Sequence, residues 1–344
     1  MLTVVNPTNY GHSMRSSSPS GSDPDPAADS DHDAQDMGIE PGSEWVPETA
    51  AELDLALAGE SAFSVDPLAE ARRLAAFDVL RIRAENPGPL TLSGTNTWVV
   101  DRDPAYVIDP GPALRQHLER VVAAVDARGG LGGIALTHDH TDHIESVNAL
   151  RGLRPAPLAA ARGSGIDVTL ADDVRFGPLT AVPTPGHAPD HYALVADRVC
   201  FTGDTVLGEG SAFIAPYPGA LNAYLNGLVH LCTIDLEVLC PGHGPAIWEP
   251  VAKLQESIGH RYDREHRLLV ALTEGARTVQ ELLDKAWWDV PAELRPAAAI
   301  TLAAHLDKLE EEGSLPAGVE RPRWGEAVWE DDSWAELSRE SPAE

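Results

Sequence analysis

Between Thr137 and His143 the sequence reads THDHTDH, directly behind the apolar run Ile134-Ala135-Leu136. Imidazole nitrogens and carboxylate oxygens are the donors that zinc takes in near-tetrahedral sets. Alternate residues on a tight turn at the end of a strand aim at one point. His138, His140, Asp142 and His143 therefore offer enough donors for one ion. They do not offer enough for two, because adjacent side chains cannot all converge. The competing reading is an ordinary polar loop after a strand. What separates the two is whether other loops bring donors to the same place.

Three other loops do. PTPGHAPDH presents His187, FTGDT presents Asp204 and CPGHGP presents His243. Each of these residues follows a glycine at the end of an apolar run, and glycine permits a strained turn and close approach of the backbone to an ion. Four loops presenting ionisable donors at one edge weigh more than any one of them. Other residues fall around this set. Asp109 in VIDPG is read as ordering the loops or accepting an N–H from one of the ligand histidines. His191, four residues past His187, is a candidate for contact with substrate or with the ligands. Asn96 or Thr97 in GTNTW is expected near the site, and Asp139 is expected to face solvent. His117, His230, His260, His266 and His305 sit in helical patterns and are assigned structural or surface roles.

The elements that must position these residues alternate in type. FDVLRIRAEN, NTWVVD and AYVIDPG read as strands, and ALRQHLERVVAAVDARG as a helix ended by Gly129-Gly130. GIALT is a short strand leading into the histidine cluster, and HIESVNALRG reads as a helix. VTLADDVRFGPLTAVPT carries short strands, HYALVADRVCFTGD a hairpin about Ala196-Asp197, LNAYLNGLVHL a helix, and LEVLCPGHGP a strand. Strands interleaved with helices, with polar clusters on the strand exits, describe an α/β body. Upstream, residues 50–76 contain helical pieces, with Asp66 and Pro67 marking a helix start. After Pro245 the chain becomes helical. A long helix ends at Gly275, a short one starts at Thr278 with Glu281 completing a capping box, and PAELRPAAAITLAAHLDKLEEEG follows with Leu302, Leu306 and Leu309 on one face. GSLPAG is where a wing would sit. The predicted division is an acidic disordered tail over 1–45, a body over 46–250, a helical, winged-helix-like module over 251–318, and an acidic tail over 319–344. Trp324, Trp329 and Trp334 of that last segment are expected to pack back on the body.

Composition bounds the function. The chain has 344 residues and a formal net charge of -29. Twelve acidic residues and a single basic one, Arg15, fall in the first 60 positions. From residue 61 onward the balance is still 24 Lys and Arg against 42 Asp and Glu. Such a field opposes casual binding to nucleic acid or acidic membrane. No apolar run approaches a membrane span and no apolar leader is visible, so a cytoplasmic protein without membrane contact is expected. Cys200, Cys232 and Cys240 fit no zinc-finger or redox spacing, and Cys200 and Cys240 read as buried free thiols.

With these motifs in hand, the chain resembles the metallo-beta-lactamase fold superfamily over about residues 75–250. THDHTDH matches its metal motif residue by residue, and His187, Asp204 and His243 match its later ligand motifs in order. NPGPLTLSGTNTWVV, IDPGP, FTGDTVLGEG, CPGHGP and the C-terminal module resemble the beta-lactamase-like protein 2 group. The resemblance implies an α/β fold, an αββα sandwich with a small C-terminal winged-helix-like domain. It implies two zinc ions per chain, one on His138, His140 and His187, the other on Asp142, His143 and His243, with Asp204 bridging. Asp142 and Asp204 are the carboxylates assigned to catalysis. Two such ions a few ångströms apart lower the pKa of a bound water, so a metal-bound hydroxide is present near pH 7. The expected function is hydrolysis of an acyl ester or thioester, or of a phosphodiester in single-stranded RNA, since members of the group include zinc endoribonucleases and fungal relatives that cleave polyketide thioesters. The charge balance weighs against RNA. A non-enzymatic metal-binding or regulatory protein is the alternative, and beta-lactam hydrolysis, the work of exported enzymes, is not expected. The C-terminal module is too apolar and acidic to read a DNA groove; it is expected to border the cleft or to form a homodimer.

Overall fold

In a computed structural model of the protein, residues 66–322 are described. The tail predicted over 1–45, the lead-in helix before residue 66 and the three C-terminal tryptophans lie outside the described residues. Helix α1 (Pro67–Ala75) starts as its sequence dictates: Asp66 accepts the Leu68 N–H at 3.0 Å, and Pro67 takes the first helical position.

Strands β1 (Val79–Arg83), β2 (Asn96–Val100) and β3 (Ala105–Ile108) form an antiparallel set. The same sheet continues in parallel through β4 (Leu131–Ala135), β5 (Leu158–Ala160) and β6 (Val168–Thr169). Parallel neighbours need crossovers. Helix α2 (Arg115–Asp126) supplies the one between β3 and β4, and α3 (Thr141–Ile144) with α4 (Val147–Leu153) the one between β4 and β5. HIESVNALRG is thus two helices rather than the single one predicted. The break has a cause: Ser146 donates its hydroxyl to Pro112 O at 2.6 Å and its N–H to Gly111 O at 3.0 Å, so the loop after β3 holds the chain at that point.

The second sheet runs β11-β10-β9-β8-β7, from β7 (Arg175–Phe176), β8 (Leu179–Pro183), β9 (Tyr192–Ala196), β10 (Val199–Gly203) and β11 (Val238–Pro241). It is antiparallel except between β10 and β11, which α5 (Ala220–Leu231) connects in parallel. The β9–β10 hairpin turns where predicted, with Asp197 at φ 51, a conformation Asp tolerates.

The two sheets pack face to face. Trp98, Val100 and Ile108 meet Leu179, Leu194, Phe201 and Cys240 between them. The outer face of the first sheet is covered by Val121 and Val125 of α2 and Leu150 of α4, that of the second by Leu221, Leu225 and Leu228 of α5. This is the αββα sandwich. Strands buried on both faces have no reason to alternate, and β2, β10 and β11 are buried at every position. Cys200 and Cys240 are free and buried, as expected; burial pushes the Cys200 thiol up to about 12.

Beyond the sandwich come α6 (Pro250–Thr273), α7 (Val279–Ala286), a 3-10 turn over Ala292–Leu294, and α8 (Arg295–Glu311). Thr278 and Glu281 form the predicted capping box at the start of α7. Leu302, Leu306 and Leu309 pack with Leu268 of α6 and Leu282 of α7. A short helix with one apolar face was expected here; α8 has 17 residues and is buried on nearly every side, since Ala304 also reaches the core beneath the second sheet. Among the described residues no strand follows α8. The GSLPAG run is turn and coil, with Leu315 packed on the helices. No helix among the described residues is long and apolar enough to cross a membrane.

Candidate metal centre

The four donor loops leave the same edge of the sandwich, and the backbone ties them to one another. The Gly242 N–H donates to Gly203 O at 2.8 Å, the Asn96 N–H to Gly242 O at 2.7 Å, and the Tyr192 N–H to Thr137 O at 2.8 Å. Glycine is needed where the loops are closest. A Cβ at Gly242 would lie 2.3 Å from Asp204 Oδ1 and 2.7 Å from His143 Cε1. Gly203, at φ +45, would place one 2.5 Å from Thr137 Oγ1.

The donors converge in two sets. His140 Nδ1 lies 2.9 Å from His138 Nε2 and 3.0 Å from His187 Nε2. Asp142, His143 and His243 form the second group, with His243 Nε2 3.4 Å from Asp142 Oδ2 and His143 Nε2 3.5 Å from the same oxygen. The Asp204 carboxylate lies between the groups. Its Oδ1 is 3.5 Å from His143 Nε2, and its Oδ2 is 3.2 Å from His243 Nε2 and 3.7 Å from His187 Nε2. All seven residues read from the sequence are therefore brought together.

Three of the donor histidines have partners for the ring nitrogen that faces away, while His243 Nδ1 is buried without one. His143 Nδ1 is 3.0 Å from Asp109 Oδ2, His187 Nδ1 is 3.2 Å from Phe213 O, and His138 Nδ1 is 2.9 Å from Thr137 Oγ1. The contacts of Nδ1 with Asp109 and with Phe213 O turn Nε2 of His143 and His187 inward. Nitrogen lone pairs packed within 3.0 Å of one another and a buried Asp204 Oδ1 without a hydrogen bond are costly as they stand. Divalent cations of the zinc type satisfy both, so this donor set fits them.

Burial also fixes the charge states. It holds His138 and His140 well below the usual imidazole range, assisted by the neighbouring rings, and it lowers His187. For His143 burial acts in the same direction but is outweighed by Asp142, Asp204 and Asp109, which raise it to about 10. His243 is raised against its burial by Asp204. Burial pushes Asp204 up, yet His243 and His143 hold its carboxyl well below the carboxylate range. One half of the centre thus carries neutral imidazoles and the other pairs imidazole with carboxylate.

The flanking residues only partly match the sequence reading. Asp109 has the expected part, accepting the Thr137 N–H at 2.8 Å and Thr137 Oγ1 at 2.7 Å besides facing His143. His191 turns away from the cleft: its Nε2 accepts the Asp204 N–H at 3.1 Å, so it supports the Asp204 loop. In GTNTW the residue that reaches the donors is Thr95, one position before those expected, donating to Asp142 Oδ2 at 2.7 Å. Asn96 instead binds Pro241 O and Gly244 O, and Thr97 binds Asp109 O. Asp139 pairs with Arg162 at 2.8 Å rather than facing only water. His117 and His305 are buried and His230 and His266 exposed, as assigned.

His260 departs from its assignment, because it lines a cleft. The cleft, of about 760 Å³, has His140, Asp142, His187, Asp204 and His243 on its floor. Leu90, Leu92, Leu207 and Phe213 form one side, and His260, Arg261, Trp287, Val290 and Leu294 of the C-terminal helices form the facing wall. The C-terminal module therefore borders the cleft, one of its two expected roles. Nothing local in the sequence announced these residues; they meet the donors only through the packing of α6 and α8 on α5, the helix that covers the second sheet.

Residues 90–166 and 164–243 match the metallo-beta-lactamase superfamily, and residues 278–315 match the beta-lactamase associated winged helix domain. A beta-lactamase-like protein 2 homolog of Drosophila melanogaster is 31% identical, with 69% of this chain aligned to 89% of that protein. An atrochrysone carboxyl ACP thioesterase of Aspergillus fumigatus is 29% identical over 63% of this chain and 75% of its own length. Among solved structures, a beta-lactamase domain protein from Burkholderia ambifaria shares the fold at a TM-score of 0.60 and 20% identity, over 75% of this chain and 91% of that one. The donor loops, the sandwich that carries them and the helical module behind them agree with these matches: the chain belongs to the metallo-beta-lactamase superfamily and carries the winged helix domain associated with it.

Proposed function

We propose that the protein is a hydrolase of acyl esters or thioesters that works with two zinc ions per chain. His138, His140 and His187 hold one ion, Asp142, His143 and His243 the other, and Asp204 bridges them. The observation that carries this reading is the position of Asp204, whose carboxylate lies within 3.7 Å of His187 in one donor group and within 3.5 Å of His143 and 3.2 Å of His243 in the other. When bound, such an ion pair supplies a nucleophile at neutral pH and a Lewis acid for a developing oxyanion. The chain's own residues do the rest. Thr95 fixes Asp142 by donating to Oδ2, and Asp142, on the floor of the cleft, takes the proton lost by the attacking water and returns it to the leaving group. His191 and Gly242 keep the Asp204 carboxylate where it is. We divide the chain at residue 250 into a hydrolytic body over 46–250 and a helical module over 251–318 that walls the cleft.

The cleft favours an acyl substrate over RNA. Its lining is largely apolar, and its acids away from the centre, Glu145, Glu209, Glu256 and Asp289, outnumber its cations, Lys253, Arg261 and Arg264, where an RNA backbone needs cations. The thioesterase relative of Aspergillus fumigatus points the same way. Protein purified without chelator is expected to carry close to two zinc ions per chain and to hydrolyse members of an acyl thioester panel while leaving single-stranded RNA intact. Asp204→Ala is expected to lose activity by at least about a hundredfold and to lose metal in the same preparation. Cleavage of the RNA, abolished by His140→Ala, would replace the acyl reading with a nuclease. Inactivity on every substrate with both ions bound would favour a non-enzymatic metal-binding protein, and full activity in Asp204→Ala would remove the bridging role.

A further inference from the structure

One cation on the cleft wall has no counter-charge. Arg261, on α6, is 2% exposed. The neighbouring cations all have acids: Arg264 binds Asp289 at 2.6 Å, Arg267 binds Asp263 at 2.6 Å, and Lys308 binds Glu265 at 2.9 Å. Among the described residues Arg261 has no carboxylate within ion-pair distance. Its one hydrogen bond runs from Nη2 to the Ala212 carbonyl oxygen, and its Nε is buried without an acceptor. Tyr224 lies beneath the guanidinium at 5.2 Å from the ring centroid, which offsets only part of a buried charge. The acid one turn along α6, Glu265, is held by Lys308 and lies beside His305. His260, pushed down to about 4 by burial and by Arg261 and Arg264, is neutral at pH 7 and also leaves its Nδ1 without a partner.

A guanidinium that stays charged and sits buried without an anion is a strong anomaly. Arginine does not discharge by giving up its proton, and an uncompensated buried ion is among the most unfavourable arrangements in a protein interior. Arg261 lines the same cleft as His140, His187 and Asp204. Its place in that wall is suited to an anion that arrives with the substrate, and a guanidinium recognises carboxylate or phosphate oxygens through two N–H groups at once.

We propose that Arg261 is the specificity residue of the cleft, binding a carboxylate or phosphate carried by the acyl substrate while the scissile carbonyl lies over the metal centre. The acidic lining named above then acts as a filter: one anionic group is accepted at Arg261, and a polyanion is repelled along the rest of the wall. This inference rests on the acyl-hydrolase reading and deepens it.

A rival explanation is structural. Ala212 precedes Phe213, whose carbonyl oxygen holds His187 Nδ1, and the next N–H, that of Ile214, donates to Thr301 Oγ1 at 3.3 Å. On that explanation Arg261 and Thr301 would both serve only to fasten the loop behind a metal donor, and the test must separate fastening from recognition. Three acyl thioesters of equal chain length, ending in a carboxylate, a phosphate or a neutral carboxamide, are compared on wild type, Arg261→Met, Arg261→Lys and Thr301→Val. Binding of the matching unreactive thioethers to the same zinc-loaded proteins is measured by calorimetry. Wild type is expected to favour at least one anionic ligand over the carboxamide by on the order of 10- to 100-fold, in KM and in affinity. Whichever anion is favoured identifies the group. Arg261→Met is expected to erase that preference with kcat, metal content and the carboxamide KM unchanged, Arg261→Lys to restore part of it, and Thr301→Val to keep it. Equal losses on all three substrates, or loss of zinc in Arg261→Met, would make Arg261 a fastener of the loop and overturn the proposal. So would equal binding of the three thioethers by wild type. If no thioester is hydrolysed but the thioethers still show the Arg261-dependent preference, the acyl-hydrolase reading fails and the anion site stands.

Discussion

Asp109 shows how much of the centre depends on a residue outside the proposed ligand set. Its carboxylate faces His143 Nδ1 and takes two hydrogen bonds from Thr137, so one side chain sets both the tautomer of a donor and the course of the loop that carries three others. Asp109→Asn keeps the shape but presents an N–H2 where an acceptor is needed. It is expected to weaken zinc binding by about 10- to 100-fold in competition with a chelator, with the circular dichroism spectrum unchanged. His117 gives a residue-scale prediction in pH. Burial, assisted by Arg120, pushes it down to about 4, against the donation to Pro110 O that favours its charge. Between that value and its unfolded pKa near 6.5 the unfolded chain binds the extra proton and the folded one does not. Stability is therefore fully present above about pH 6.5 and is lost as pH falls towards 4, by on the order of 3 kcal/mol for this group. Urea midpoints measured from pH 7 to 4.5 should fall more steeply in wild type than in His117→Gln. At this scale the sequence is legible where chemistry is local. The seven donors sit on strand exits, three of them directly behind glycines, and can be read directly. Thr95, the Phe213 carbonyl and Arg261 act across long separations, and their residue types carry no motif.

Elements were legible in proportion to how much their own sequence settles them. The α7 start is fixed by four residues, and Thr278 and Glu281 make the reciprocal bonds that the pattern predicts. Thr278→Ala is expected to cost about 1 kcal/mol, read from urea denaturation. The β9–β10 hairpin and the fully buried strands were equally clear. Helix α8 was not, because a sequence shows that a stretch is apolar but not how many partners it serves. It packs against α6 and α7 on one side and against the layer beneath the second sheet on another. Leu302→Ala, at a fully buried position, is expected to cost 2–5 kcal/mol, roughly, a larger effect than any cap. The same limit explains HIESVNALRG: the bonds from Ser146 to Gly111 and Pro112 that divide it come from a loop more than thirty residues earlier.

For the whole molecule, the alternation of strands and helices describes an α/β body and the family resemblance implies its αββα order, while neither shows the cleft. Its floor is built by strand exits of both sheets and its wall by helices that begin only at residue 250. Helix α6, 24 residues long and so about 36 Å from end to end, carries Arg261 back over the donor loops. The donor residues and the helical wall beside them are therefore encoded in separate stretches of chain.

One buried acid near the start of the described chain sets a boundary for anyone who wishes to shorten it. Glu70 of α1, 3% exposed, pairs with Arg81 at 2.6 Å and accepts the Ala246 N–H at 2.6 Å, three residues past His243. The superfamily match begins only at residue 90, so trimming to that match would discard the clasp on the His243 loop together with strand β1. A fragment over 66–322 is expected to fold and bind zinc like the full chain. One over 77–322, lacking α1 but keeping every donor and every strand, is expected to unfold at lower temperature and to bind zinc more weakly. Equal melting temperatures and equal zinc content for the two would show that α1 is dispensable.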